Sequence, residues 1–251
     1  MNDEAWNSYP ARVDDAPASF LVAMHFESGE RPPGAETLYV AGLGMVEPGE
    51  HGMGTNAEAE SFAAIQDAIA HELTKAGFVA VGRLRNKDTW QLSYYGPNAG
   101  KELFLAALKQ HGSDLDRELW THIDHDPDWN YFTTFLMPDP ERRQWMRNAQ
   151  VVDQLVSHGD QLERERMVDH WLYFPSLEGL QSFRRLAVEH GFCASEESPE
   201  QQANGTYPLK LSREDGVELS SIHRVVMALV LLSEPHGAEY DGWEAPIVRT
   251  G

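Results

Sequence analysis

Short β-prone runs alternate with amphipathic helical stripes along this chain, and their order predicts the architecture. Two β-prone runs flank Asp14-Asp15 between Trp6 and Phe26, a hairpin whose second arm contains Phe20-Leu21-Val22-Ala23-Met24. Ser28 to Gly34 reads as a connector, Thr37 to Met45 as a strand, and the residues through Gly54 as a glycine-rich loop. A helix follows, with Asn56 as its expected cap, Glu58 and Glu60 near its positive end and Gly77 as its stop. Phe62, Ile65, Ile69 and Leu73 form its apolar stripe. Phe78 to Leu84 and Trp90 to Tyr95 pair around Asn86-Lys87-Asp88. A helix over about Gly100 to Gln110 with Leu103, Leu105, Ala106 and Leu108 comes next, then a strand from Glu118 to Asp124.

After the aromatic-rich stretch Trp129 to Leu136 and the punctuation Pro138-Asp139-Pro140, helix signals run from Glu141 to His158-Gly159. Trp145, Met146, Val151, Val152 and Leu155 are its expected inward side. A strand over Arg166 to Phe174 leads to a Ser176-capped helix carrying Leu177, Leu180, Phe183, Leu186 and Ala187, stopped by Gly191. Strands over Phe192 to Ser195 and Tyr207 to Leu211, a helix over about Leu219 to Leu232 and an extended segment over Glu239 to Val248 close the chain. Both halves therefore read β-α-β-β-α-β, the split βαβ order. The expected fold class is α+β with two ferredoxin-like domains, residues 1–148 and 149–251, the first with an added N-terminal hairpin. Leu73 to Val79 and Ala187 to Cys193 share one phrase: a helix end, a glycine and a strand opening on Phe.

Charge narrows the function classes. The 251 residues hold 40 Asp+Glu against 20 Lys+Arg, a formal net charge of −20 spread over both halves. Such a field repels phosphate backbones and attracts cationic partners, so direct nucleic-acid binding is not expected and a basic protein partner is. The single cysteine, Cys193, excludes an intramolecular disulfide and a multi-cysteine zinc site; in a strand it reads as a small buried hydrophobe. The acidic start lacks a secretory signal pattern and no apolar run approaches membrane-span length, which reads as a soluble cytoplasmic protein without membrane association.

Few residues point to chemistry. His122, Asp124 and Asp126 would share a strand face and suit a first-row metal, but no further ligand is marked, and Asp126-Pro127-Asp128 reads equally as a turn into Trp129. His170 falls on the apolar face of its strand with Val168, Leu172 and Phe174, whereas Asp169, Trp171 and Tyr173 fall on the other. No nucleophile motif or phosphate-binding glycine pattern accompanies them, so no catalytic residue, resident metal or cofactor is expected. Tyr240-Asp241-Gly242-Trp243 is the most distinctive stretch. Gly242 is expected at positive φ, and Tyr240 and Trp243 either anchor a partner or close the core, with the core favoured for Trp243.

The segment from about Arg166 to Trp243 resembles the bacterial regulator-of-ribonuclease-activity B (RraB) family. Val168-Asp169-His170-Trp171-Leu172-Tyr173-Phe174, the helix into Gly191-Phe192 and Glu239-Tyr240-Asp241-Gly242-Trp243 carry the resemblance. It implies a ferredoxin-like fold and a non-catalytic protein that binds ribonuclease E and inhibits RNA cleavage. It makes Asp169, His170, Trp171, Tyr240, Asp241, Gly242 and Trp243 the family-motif and possible partner-binding residues. The front half is similar to domain-of-unknown-function family 695, through the Trp6 hairpin, Asp126-Pro127-Asp128-Trp129-Asn130-Tyr131 and Phe135-Leu136. Enterobacterial RraB proteins end in a long acidic tail, whereas this sequence closes on Ile247-Val248-Arg249-Thr250-Gly251. The expected function is thus binding and inhibition of an RNA-degrading enzyme. The alternatives are a toxin-neutralising or ligand-binding module and a metal-dependent enzyme at His122 and Asp124.

Overall fold

The computed structural model describes residues 6–112, 117–194 and 199–249. The chain divides into two compact units between Arg142 and Arg143. In the first, β1 (Trp6–Val13) and β2 (Ala16–Ala23) precede β3 (Thr37–Gly44), α1 (Asn56–Lys75), β4 (Val79–Asn86), β5 (Thr89–Gly96), α2 (Lys101–Gly112) and β6 (Leu119–His125). All neighbours are antiparallel, in the order β1-β2-β4-β5-β3-β6. The last four are the ferredoxin-like sheet, and the hairpin is laid along its β4 edge. Asp14-Asp15 and Lys87-Asp88 close their two-residue turns at positive φ, as the twist of tight hairpins requires.

The two faces of this sheet are covered differently. Helices α1 and α2 pack Phe62, Ile65, Ile69, Leu73, Phe104, Ala107 and Leu108 against Tyr39, Ala41, Leu43, Leu92 and Tyr94. The inward side of α2 is carried by Phe104, and the expected Leu103 and Leu105 are partly exposed. The cap of α1 is Thr55, not Asn56: the Glu58 N–H donates to its Oγ1 at 3.1 Å. Glu58 turns inward, accepting from Trp90 Nε1 at 3.2 Å and the Glu47 N–H at 3.1 Å while it pairs with buried Arg117. Burial works to raise its pKa, but these partners outweigh it and hold the carboxyl below the usual range.

The opposite face lies under the segment that follows β6, where a π-helical turn spans Phe132–Leu136. Leu136 sits so close over Gly82 that a Cβ there would lie 2.7 Å from its Cδ1. Trp129 stacks on Tyr95 with ring centroids 4.2 Å apart and donates from Nε1 to the Ala35 carbonyl at 2.7 Å. Trp120 lies across Gly42, where any side chain would overlap the indole.

The second unit contains all but the first residues of α3 (Pro140–Ser157), then β7 (Arg166–Phe174), α4 (Leu177–Glu189), β8 (Cys193–Ala194), β9 (Tyr207–Asp215), α5 (Leu219–Ser233) and β10 (Glu239–Glu244). The sheet order β10-β7-β9-β8, antiparallel throughout, is ferredoxin-like again. The expected end of β8, Ser195, lies outside the described residues. Val168, Leu172, Phe174, Leu180, Phe183, Ile222, Val226 and Leu229 form the core between the sheet and its helices. The buried side of α3 differs from expectation: Gln144 and Asn148 join Met146, Val152 and Leu155, while Trp145 and Val151 are only half-buried. Asn148 is there to accept from Trp243 Nε1 at 3.1 Å.

His170, Tyr240 and Trp243 all belong to this core. His170 is fully buried, with Nδ1 2.9 Å from the Tyr240 hydroxyl. Burial disfavours its charged form and pulls its pKa down to about 4.

Two expectations follow. Replacing Trp243 by Ala should cost about 3–5 kcal/mol, as loss of a buried aromatic does, read as a lower urea-unfolding midpoint. The second concerns acid. The unfolded chain protonates His170 near its ordinary value of 6.5 while the folded chain resists down to about 4. Stability from this residue is therefore complete above pH 6.5 and lost as pH falls towards 4, of order 3 kcal/mol in all. Comparing urea midpoints of the native protein and His170→Leu between those pH values should show a shallower slope in the variant.

Candidate functional site: the open face of the second sheet

Strand alternation divides the family-motif residues between two environments. Along β7, Val168, His170, Leu172 and Phe174 are fully buried towards the helices, whereas Met167, Asp169, Trp171 and Tyr173 point the other way and keep solvent access. The antiparallel register sets Glu214, Ser212, Lys210 and Pro208 of β9 opposite those four. On the other side, Glu239 of β10 pairs with Tyr173, Gly242 with Trp171 and Glu244 with Asp169. A bulge between Tyr240 and Gly242 makes Asp241 the extra, exposed residue. The motif is therefore split: Asp169, Trp171, Asp241 and Gly242 border an open face, while His170, Tyr240 and Trp243 support it from beneath.

The bulge also corrects the reading of Gly242. Its φ is not positive, and a Cβ added there would meet open space, so the irregularity is carried by the extra residue and not by a left-handed glycine. Cys193, expected to be buried, is exposed on the short strand β8, opposite Ser212.

At the centre of the face Asp169 accepts from Ser212 Oγ at 2.5 Å and pairs with Lys210 Nζ at 2.5 Å. Lys210 Nζ also stands 5.5 Å from the centroid of the Trp171 ring. Burial acts to raise the Asp169 pKa, but Lys210 and Ser212 prevail and hold it below the usual carboxylate range. The face's lysine is thus satisfied internally. Arg213, the other cation of β9, is held bidentately by Asp215 at 2.9 and 3.0 Å. Glu214, Glu239, Asp241 and Glu244 are exposed, and none is in an ion pair among the described residues. A hollow of about 240 Å³ opens between Asp169, Glu244, Ala245 and Pro246. The result is an aromatic strip bordered by uncompensated carboxylates.

Lys210, Glu239 and Glu244 were not legible as part of this surface. Alternation places residues of one strand on one face, but the pairing that brings three strands together is long-range.

The candidate metal cluster does not assemble. His122 and Asp124 are exposed on the edge strand β6, while Asp126 turns inward to accept from Tyr95 Oη at 2.6 Å and from the backbone N–H groups of Asn130 and Tyr131 at 2.8 and 2.9 Å. Among the described residues no group of three His, Cys, Asp or Glu side chains is placed to hold a metal.

Comparison with known proteins places these two units. Residues 4–137 match the model of a family of unknown function, DUF695, and residues 145–245 match Regulator of ribonuclease activity B, RraB. No curated protein matches the chain. Among solved structures, a putative glycine cleavage system transcriptional repressor is 10% identical, covering 84% of this chain and 98% of its own, with a TM-score of 0.25. An unknown protein from Galdieria sulphuraria is 12% identical, covering 84% of this chain and 99% of its own, with a TM-score of 0.23. Superpositions that poor add nothing to the assignment, which rests on the family models and the matching element order. The chain belongs to the DUF695 family, and its second unit is similar to Regulator of ribonuclease activity B, RraB.

Proposed function

We propose that the protein is a non-catalytic inhibitor of a ribonuclease E-like enzyme, and that the open face of the second sheet is where it docks. The observation that carries this reading is the charge of that face: four exposed carboxylates without ion pairs, beside an aromatic strip whose lysine is already neutralised. The complementary occupant is a basic segment of the enzyme. The hollow beside Glu244 suits one lysine or arginine head, while Trp171 and Tyr173 supply flat apolar area. A basic segment held there is withdrawn from RNA, so inhibition follows by competition and needs no chemistry from the inhibitor. Asp169, by ordering Lys210 against Trp171, positions the strip and does not itself offer free charge. The His170–Tyr240 and Trp243–Asn148 pairs support the face from below.

The same reading makes the two units, which the sequence divides at about residue 148 and the structure between Arg142 and Arg143, separate modules acting in the cytoplasm without nucleic acid, metal or cofactor. No helix among the described residues is long and apolar enough to cross a membrane.

The test is binding and RNA-cleavage inhibition with purified ribonuclease E at graded salt. Raising ionic strength from about 0.05 to 0.15 M should weaken binding, because exposed charges are screened over ~8–10 Å. The double variant Glu239→Lys/Glu244→Lys should weaken it by about tenfold or more while changing stability by less than about 0.5 kcal/mol. Trp171→Ala should weaken it without that salt dependence changing. Salt-insensitive binding untouched by the double variant would overturn the assignment of this face. A basic nuclease toxin captured in preference to ribonuclease E would replace the partner but keep the face.

A further inference from the structure

In the first unit, the hairpin β1-β2 carries the sheet beyond the edge of the helix layer. Where β2 and β4 pass α1, this leaves a cleft of about 450 Å³, within the size range of small-molecule sites. Arg83 and Arg85 line it from β4, Ser8 and Ser19 from the hairpin, and Glu60 from α1, with Trp90 behind. Both guanidinium groups lie over the Trp90 ring, their central carbons 5.2 and 5.8 Å from its centroid. Trp90 is itself fixed, stacked on Phe62 at 4.5 Å and bonded through Nε1 to Glu58.

The arginines differ from the other buried or half-buried arginines that the structure pairs. Arg117 is matched by Glu58, Arg166 by Asp160 and Arg213 by Asp215. Arg83 and Arg85 have no carboxylate within ion-pair distance among the described residues, in a chain with 40 acidic side chains for 20 basic ones. Arg83 donates to Gln66 Oε1 at 2.9 Å, and Arg85 reaches the Met53 carbonyl at a long 3.5 Å, so most of their N–H groups have no acceptor among the described residues. Burial and then the like charge of Arg85 pull the Arg83 pKa below its usual value, with Asp67 partly opposing. Two adjacent cations left uncompensated in a walled cleft are a standing attraction for an anion, and their planar forks match carboxylate and phosphate oxygens.

We propose that this cleft binds a small oxyanion, a phosphate ester or a carboxylate bearing a hydroxyl group, with Arg83 and Arg85 gripping the anion and Ser8 and Ser19 donating to it. Glu60, the carboxylate of the lining, accepts from the ligand's hydroxyl and disfavours polyanions. The site lies within the DUF695 unit and is independent of ribonuclease binding by the second.

The experiment is a titration of the full-length protein with inorganic phosphate, glycerol 3-phosphate and lactate, a carboxylate bearing one hydroxyl, at constant ionic strength. It is followed by calorimetry and by the NMR signals of Trp90 Nε1–H and the amides of Ser8 and Ser19. Saturable binding of at least one of the three, with those signals moving, is expected. Arg85→Gln, whose bond to the protein is long and weak, should keep the circular-dichroism spectrum and lose about tenfold or more in affinity. Arg85→Lys should recover part of it. No saturable response to any of the three, or binding unchanged in a folded Arg85→Gln, would show that the arginines only shield Trp90.

Discussion

Much of the first unit hangs on one buried carboxylate. Asp126 directly follows the unit's last strand, and its two oxygens take hydrogen bonds from the Tyr95 hydroxyl, the backbone N–H groups of Asn130 and Tyr131 and the Asn130 side chain. Burial alone would push the group towards its neutral form. The donors prevail, and the pKa stays low. This arrangement turns the chain back over the sheet, with Trp129 at positive φ, and seats Trp129, Phe135 and Leu136 against Tyr95, Phe20 and Gly82 respectively. The same acid that suggested a metal ligand in the sequence is the fastening of an aromatic lid. Without it, a broad apolar face would stay wet.

The second unit repeats the strand order but has no such lid among its described residues. Its sheet commits one face to α3, α4 and α5, and keeps the other for carboxylates and half-exposed aromatics. A duplicated topology has therefore been completed in two ways: both faces covered in the first unit, one left available in the second. The split of the motif residues follows from this. Inward members are constrained by packing: His170 Nδ1 and the Tyr240 hydroxyl satisfy each other, and Trp243 Nε1 needs Asn148. Outward members are free to serve recognition.

How much of this could be read beforehand depends on the range of the interaction. Strand and helix order, the Asp14-Asp15 and Lys87-Asp88 turns and the alternation of β7 are local, and each is found where its residues predict it. The errors are long-range. Asn148 is missing from the expected inward side of α3 because Trp243, its partner, is 95 residues away. Leu103 and Leu105 outvoted Phe104 on α2 because the aromatic pocket that holds Phe104 is assembled from Tyr39 of β3 and Phe78, just ahead of β4. Gly242 was given a conformational role that a bulge fulfils instead. Nothing in the sequence could have singled out Arg83 and Arg85, since what distinguishes them is the carboxylate that is not beside them.

An open sheet face carries a hazard, since half-exposed tryptophan and tyrosine on a flat surface invite a second molecule of the same chain. Here the border of that surface answers the hazard. Two copies brought face to face would set Glu214, Glu239, Asp241 and Glu244 of each against the other's, with no free lysine to relieve them. The charge that would draw in a basic partner therefore also makes the surface repel itself, and the protein can keep an aromatic strip uncovered without sticking to its own kind.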